Sequence, residues 1–189
     1  MVSTTFTYHT IAAILSNTVP VADLEDRLSS KPFDWDAIVV EGSKHLVLPT
    51  MYCQLKSKQL LHTLPEELNH YLEDLTSINR NRNTELLRQI HEISELLNAN
   101  TIDHVFLKGA ALIASDCYND IAERMVGDID ILVAKDQIQK AFSLLNVNGY
   151  SKTFGFAYED ETHRHLDRLI NSKKLAAIEL HSELLRPTF

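Results

Sequence analysis

Two aspartates, Asp128 and Asp130, stand in the short apolar segment from Gly127 to Val133. Residues two apart in a β-strand point to the same face, so both carboxylates are expected to project together, opposite Ile129 and Ile131. Aspartate is depleted in strands, so two of them in an apolar strand suggest a function. Paired carboxylates suit Mg²⁺ or Mn²⁺, which is bound together with substrate phosphates. The alternative interpretation is a solvated strand end with two surface acids.

A third carboxylate is offered by Glu179, within the alternating segment 177–181. If this segment forms the strand beside Asp128 and Asp130, about 4.8 Å away, Glu179 joins their cluster. Three carboxylates can hold two ions about 3.5–4 Å apart, which clamp an in-line phosphoryl displacement. The alternative is an edge strand with a wet face. His181 shares the face of Glu179, where it would support the metal ligands from behind or act as a base for an acceptor hydroxyl.

Lys108 and Gly109 follow a strand candidate at residues 103–107 and precede an apolar helical segment. Glycine lets the backbone approach a ligand closely, and the N–H groups at a helix start favour phosphate. Lys108 can add a point charge on the phosphates. Arg124, four residues before Asp128, can reach phosphate or brace the carboxylates. The alternatives are an ordinary turn and an ordinary surface arginine.

Other metal or nucleophile chemistry finds little support in the sequence. His163 and His165 are spaced for ligands on one strand face, but no second Cys/His pair accompanies them, so a zinc site is not predicted. The sequence contains no Walker loop, no Rossmann glycine fingerprint and no Gly-x-Ser-x-Gly element. The two cysteines, Cys53 and Cys117, are expected to be reduced thiols.

The first hundred residues show helical periodicity. Asp34 to Asp36 begin a helical segment that is expected to break at Pro49, and Pro65 begins another. Neither proline nor glycine interrupts the segment 66–99, which predicts one long helix or two end to end. We expect this region, residues 1–100, to pack as a helix bundle.

Residues 101–189 change period and predict an α+β core with a small mixed sheet flanked by helices. After the strand at 103–107 and a helix from Gly109, a strand covers 129–133. A helix capped by Asp136 then runs to Asn148-Gly149. An extended segment at 150–158 and the strand at 177–181 complete the order.

Composition limits the classes of function. The chain has 189 residues, 44% of them hydrophobic, and a net charge of −8. Nucleic-acid binding usually leaves a basic surface, so broad binding to phosphate backbones is not expected. No apolar run long enough to span a membrane and no signal peptide are found, so a cytoplasmic protein without membrane contact is expected.

The ordered set of motifs resembles a mostly uncharacterised bacterial branch of the DNA polymerase beta-like nucleotidyltransferase superfamily. The similar segments are Leu107-Lys108-Gly109-Ala110-Ala111-Leu112, Tyr118, Arg124, Gly127-Asp128-Ile129-Asp130-Ile131-Leu132-Val133, Gly149-Tyr150 and Ile178-Glu179-Leu180-His181. The helical first half is similar as well. Members of the family continue into further helices after the position of Phe189, so the resemblance predicts a C-terminally truncated core.

The resemblance implies a chemistry. A metal-bound nucleoside triphosphate is attacked at its α-phosphate, pyrophosphate leaves, and a nucleoside monophosphate passes to a hydroxyl or similar acceptor on a small molecule or protein. By this similarity Asp128, Asp130 and Glu179 hold the metal, Lys108 and Gly109 grip the triphosphate, and Arg124 supports it.

Two other functions remain open at the level of sequence. One is a catalytically weak relative that binds nucleotides or a partner protein, which the short C-terminus suggests. The other is a nucleotide-sugar glycosyltransferase, since those enzymes also bind metal through an Asp-x-Asp pair. Such enzymes place a nucleotide-binding α/β region before the pair, whereas the preceding hundred residues here are predicted to be helical.

Overall fold

The computed structural model describes residues 4–153 and 166–184, which form seven α-helices, two 3₁₀ turns and five strands. By their internal contacts, residues divide into two compact units. We call Met1–Asn81 with Tyr118–Met125 the helical unit, and Arg82–Cys117 with Val126–Phe189 the sheet unit. An α+β fold with a helical N-terminal region is therefore confirmed.

The helical unit contains four short helices and the first part of a long one. They are α1 (Thr4–Leu15), α2 (Val21–Ser29), α3 (Trp35–Lys44), α4 (Leu48–Ser57) and α5 (Glu66–Ala99). Their apolar faces meet in one buried cluster that includes Ile14, Leu24, Leu55 and Leu72. The Asp34 side chain accepts a hydrogen bond of 3.0 Å from the Ala37 amide and so caps α3. None of the helices described is long and apolar enough to cross a bilayer.

The break between α3 and α4 differs from the sequence prediction. The helix ends before Pro49, at Lys44, and Leu46 takes a positive φ of 56° in the turn. Pro49 lies in the first turn of α4, where its missing N–H costs nothing. The proline therefore begins the second helix and does not end the first. In the segment 66–99, the sequence left one or two helices open, and the structure has one, α5.

The sheet unit is built on a five-stranded mixed sheet. Its strands are β1 (His104–Phe106), β2 (Asp128–Val133), β3 (Ser151–Lys152), β4 (Leu169–Ile170) and β5 (Ala177–His181). The spatial order is β1-β2-β5-β4-β3. The central pair, β2 and β5, is parallel, and the other neighbours are antiparallel. The predicted strands at 129–133 and 177–181 are confirmed, whereas β4 was not anticipated.

The sheet unit also contains the second part of α5 and two further helices, α6 (Lys108–Ala114) and α7 (Ile138–Val147). Gly149 follows α7 with a φ of +89°, as expected for a glycine that ends a helix. The predicted cap at Asp136 is wrong, because Gln137 precedes the first turn and makes no side-chain capping bond. The Gln137 side chain instead accepts a hydrogen bond from the Asp103 amide. His163, His165 and the end of the predicted extended segment lie outside the described residues.

Gln89 of α5 fixes the start of β5 within the sheet unit. Its side chain is 2% exposed, donates to the Ala176 carbonyl at 2.8 Å and accepts from the Ala176 amide at 3.0 Å. It also donates to the Tyr150 hydroxyl at 3.2 Å. A side-chain amide thus satisfies a buried backbone peptide group directly before the strand.

Replacing Gln89 by Leu is expected to lower the free energy of unfolding by about 2–3 kcal/mol, since both Ala176 groups would be buried without partners. The matched control is Arg88→Ala, which removes only an exposed pair with Glu85 and should cost under about 1 kcal/mol. Urea denaturation followed by circular dichroism measures both. Equal losses in the two variants would contradict the role given to Gln89.

Candidate functional site

The two aspartates of β2 are exposed to different degrees. Asp130 is 2% exposed, whereas Asp128, at the start of the strand, is half-buried. Ile129 and Ile131 are fully buried, as the alternation of the strand predicts. An ionised carboxylate held this far from water is costly unless other groups compensate its charge. The surroundings of Asp130 therefore decide what the site can do.

Glu179 lies directly opposite Asp130. The parallel register of β2 and β5 pairs Asp130 with Glu179, Asp128 with Ala177 and Leu132 with His181. The expectation that the two strands are neighbours is thus confirmed. Among the described residues, the half-buried Glu179 carboxylate accepts no hydrogen bond and forms no ion pair. Acids opposite each other on neighbouring strands repel, so a cation is favoured between them.

Two donors converge on a single oxygen of Asp130. Lys108 Nζ lies 2.6 Å from Asp130 Oδ1, and His181 Nε2 lies 2.7 Å from the same atom. The His181 side chain is 12% exposed, whereas that of Lys108 is 63% exposed. The histidine is thus a fixed part of the site wall. The lysine reaches the same carboxylate from solvent.

The carboxylates raise the pKa of Lys108 above its usual range. Its hydrogen bond to Asp130 is the largest cause, opposed by desolvation and assisted by the charges of Asp130, Asp128 and Glu179. Lys108 therefore stays cationic at neutral and mildly alkaline pH. The ammonium group therefore lies in contact with the carboxylate of Asp130.

Asp128 has different surroundings. Among the described residues it forms an ion pair with Arg168, whose Nη2 lies 3.9 Å from Asp128 Oδ2, at the limit of such a pair. Arg168 directly precedes β4, a strand that the sequence did not reveal, so this arginine was not among the predicted site residues. Among the described residues, the grouping with ligand atoms within 4.8 Å of one another is Asp130, Glu179 and His181. Two carboxylates and an imidazole are a donor set suited to a divalent ion.

Gly109 begins α6 together with Lys108, as expected. Glycine is required at this position because of a contact within the protein. A Cβ added at Gly109 would lie 2.8 Å from Val126 Cγ2, which is closer than side chains tolerate. A Cβ at Gly127 would meet nothing within 4 Å. The close approach at Gly109 is thus to Val126, two residues before Asp128, and it packs α6 against the start of β2.

A polar stretch of α5, residues 79–83, carries contacts that the sequence analysis did not assign. In the sheet unit, Arg82 donates to the Val126 carbonyl. In the helical unit, Asn79 donates to the carbonyls of Ala122 and Arg124, at 2.8 and 3.2 Å. Buried asparagines in a helix were the available signal. Arg124 itself belongs to the helical unit with an exposed side chain, and its predicted support of phosphate stays a prediction.

A family described as uncharacterised nucleotidyltransferase matches residues 31–189 of the chain. No curated protein and no solved structure matches it. The matched range includes all the residues of the site, from Lys108 to His181. The similarity therefore extends well beyond the Asp-x-Asp pair.

Gly109→Ala is expected to lower the free energy of unfolding by about 1–3 kcal/mol, because the new methyl group overlaps Val126. Gly127→Ala serves as the control and should change it by less than about 0.5 kcal/mol. Adding Val126→Ala to Gly109→Ala removes the clashing methyl groups, so the double variant should lose less than the sum of the two single losses. Strict additivity in thermal or urea unfolding would show that the contact does not matter.

Proposed function

The chain belongs to this family of uncharacterised nucleotidyltransferases, and we propose that it moves a nucleoside monophosphate from a metal-bound nucleoside triphosphate to an acceptor. The acceptor is a hydroxyl or similar group on a small molecule or a protein, and pyrophosphate is released. The observation that supports this most is the pairing of Asp130 with Glu179 on adjacent parallel strands. The net charge of −8 disfavours nucleic acid as the acceptor.

Asp128, Asp130 and Glu179 would hold Mg²⁺ or Mn²⁺, and their oxygens fit such ions. The bound ion would polarise the α-phosphate and neutralise charge on the leaving pyrophosphate. The protein's own part is to orient these oxygens. Asp130 is fixed by burial and by its two donors, and Glu179 by the register of β5. Such fixed ligands need little rearrangement when the substrate is bound.

Lys108 would bind the triphosphate from its position beside Asp130. Its side chain is long and 63% exposed, so it can leave Asp130 and contact a phosphate oxygen with little loss of packing. Its raised pKa keeps the ammonium charged for that contact. Gly109 would let the backbone at the start of α6 approach the phosphates, and Arg124 would add a further cation. His181, hydrogen-bonded to Asp130 Oδ1, would steady the metal ligands.

Metal-dependent nucleotide binding tests the assignment directly. Titration calorimetry with each of four slowly hydrolysed nucleoside triphosphates, with and without Mg²⁺ or Mn²⁺, should reveal affinity only when metal is present. Asp130→Asn and Glu179→Gln keep side-chain size and should weaken that affinity by about 100-fold or more, because each removes an anionic ligand.

The matched control is Asp136→Asn, an exposed acid of the sheet unit, which should bind as the wild type does. Thermal unfolding of each variant verifies that it is folded. Nucleotide affinity that ignores metal, or that survives Asp130→Asn, would refute the proposed site. Pyrophosphate release in the presence of candidate acceptors then measures turnover for the same four proteins.

Lys108→Met should distinguish binding of the triphosphate from binding of the metal ion. Losing a charge-assisted contact is expected to weaken binding of the metal–nucleotide complex by about 10-fold. Metal affinity without nucleotide should hold or strengthen, because Asp130 loses a competing cation. Lys173→Met, at an exposed position in the sheet unit, is the control. A parallel loss of both affinities in Lys108→Met would instead mean that the lysine only maintains the shape of the site.

A further inference from the structure

We infer that His181 is a direct metal ligand through Nε2, so that the site prefers a first-row transition ion, with Mn²⁺ as the probe, over Mg²⁺. This inference rests on the proposed metal-dependent function and concerns its ligand set. The resemblance to nucleotidyltransferases implied carboxylates alone, with Asp128 among them. The structure groups a different set, in which a nitrogen donor stands beside two acids.

The strand register makes this grouping possible. Glu179 and His181 are two apart on β5 and so share a face, and Glu179 lies opposite Asp130. One potential ligand atom from each of the three residues lies within 4.8 Å of the others. Ligands around one octahedral ion with bonds of about 2.1 Å lie about 3.0 Å apart when adjacent and about 4.2 Å apart when opposite. The 4.8 Å limit on the three atoms is close to the spacing of opposite ligands around one ion.

In the contact between His181 and Asp130, a metal ion can replace the shared proton. The 2.7 Å hydrogen bond to an ionised carboxylate oxygen is made by the tautomer that has its proton on Nε2. When the ring carries its proton on Nδ1 instead, Nε2 presents its lone pair toward Asp130 and Glu179, and an ion between them replaces that proton. Lys108 reaches the same oxygen from solvent and can swing aside.

Burial and donor type then decide which ion is preferred. Mg²⁺ gives up its water reluctantly and is bound mainly through oxygen, whereas imidazole is a good donor for first-row transition ions. His181 and Asp130 have side chains only 12% and 3% exposed, so this side of the site offers little room for the waters that Mg²⁺ retains. Asp128 stands outside the grouping, near Arg168.

Electron paramagnetic resonance of Mn²⁺ bound to the nucleotide-free protein tests the inference. We expect the wild type to show nitrogen coupling in electron spin-echo modulation, and His181→Gln to lose it. Competition with Mg²⁺ should show the ratio of Mn²⁺ to Mg²⁺ affinity falling by about 10-fold or more in His181→Gln, because an amide oxygen replaces nitrogen.

His104→Gln is the matched control, since His104 lies in the same unit and bonds to Ser94 and the Ile102 carbonyl. It should keep both the coupling and the affinity ratio. Mn²⁺ that is lost in Asp130→Asn but shows no nitrogen coupling in the wild type would overturn the inference and leave the proposed function standing. Mn²⁺ binding that is weak in the wild type and equal in Asp130→Asn would refute the proposed function as well.

Discussion

The structure of the site depends on two carboxylates that face each other across adjacent parallel strands. Asp130 is withdrawn from water and Glu179 stands opposite it. Two like charges that face each other on neighbouring strands repel, and the low polarity of the interior strengthens that repulsion. Positive charge and hydrogen-bond donors must therefore gather around them. The ammonium of Lys108 and the imidazole of His181 both do so, at one oxygen of Asp130.

These two donors differ in what holds them. His181 lies on the central strand β5 with its side chain 12% exposed, whereas Lys108 is the first residue of α6 and has a side chain 63% exposed. Charge compensation at Asp130 is thus divided between a fixed donor and an adjustable one. In the proposed reaction this division would be useful, because the charge in the site would change each time a triphosphate enters and pyrophosphate leaves.

The sequence predicted the strands of the site well, because the alternation of apolar and acidic residues in β2 and β5 shows directly which side chains share a face. Their adjacency was only a condition at that stage, since the pattern of one short strand carries no information about which strand lies beside it. β4 was missed because two residues, Leu169 and Ile170, give no periodicity. Gln89 was missed for a different reason: a glutamine in an amphipathic helix looks solvated, and only the folded chain brings Ala176 to it.

The two errors of interpretation also have local causes. A proline both ends and begins helices, and at Pro49 the second use applies, with Leu46 in a left-handed turn before it. An aspartate shortly before a helix is a common cap, but Asp136 lies one position too early, because the helix begins after Gln137. In both cases the helices were predicted correctly, and the residue at the helix boundary was given the wrong role.

The bond between Gln89 and Ala176 has a consequence for how the chain can vary in length. Ala176 is anchored three residues before Glu179, and strand faces alternate with every residue. One residue inserted or deleted between them would turn Glu179 and His181 into the core and bring Leu180 to the site. The turn at 171–175 lies before the anchor and can change length without that inversion. Among related chains, insertions should therefore be found before Ala176 and be absent from the three positions after it.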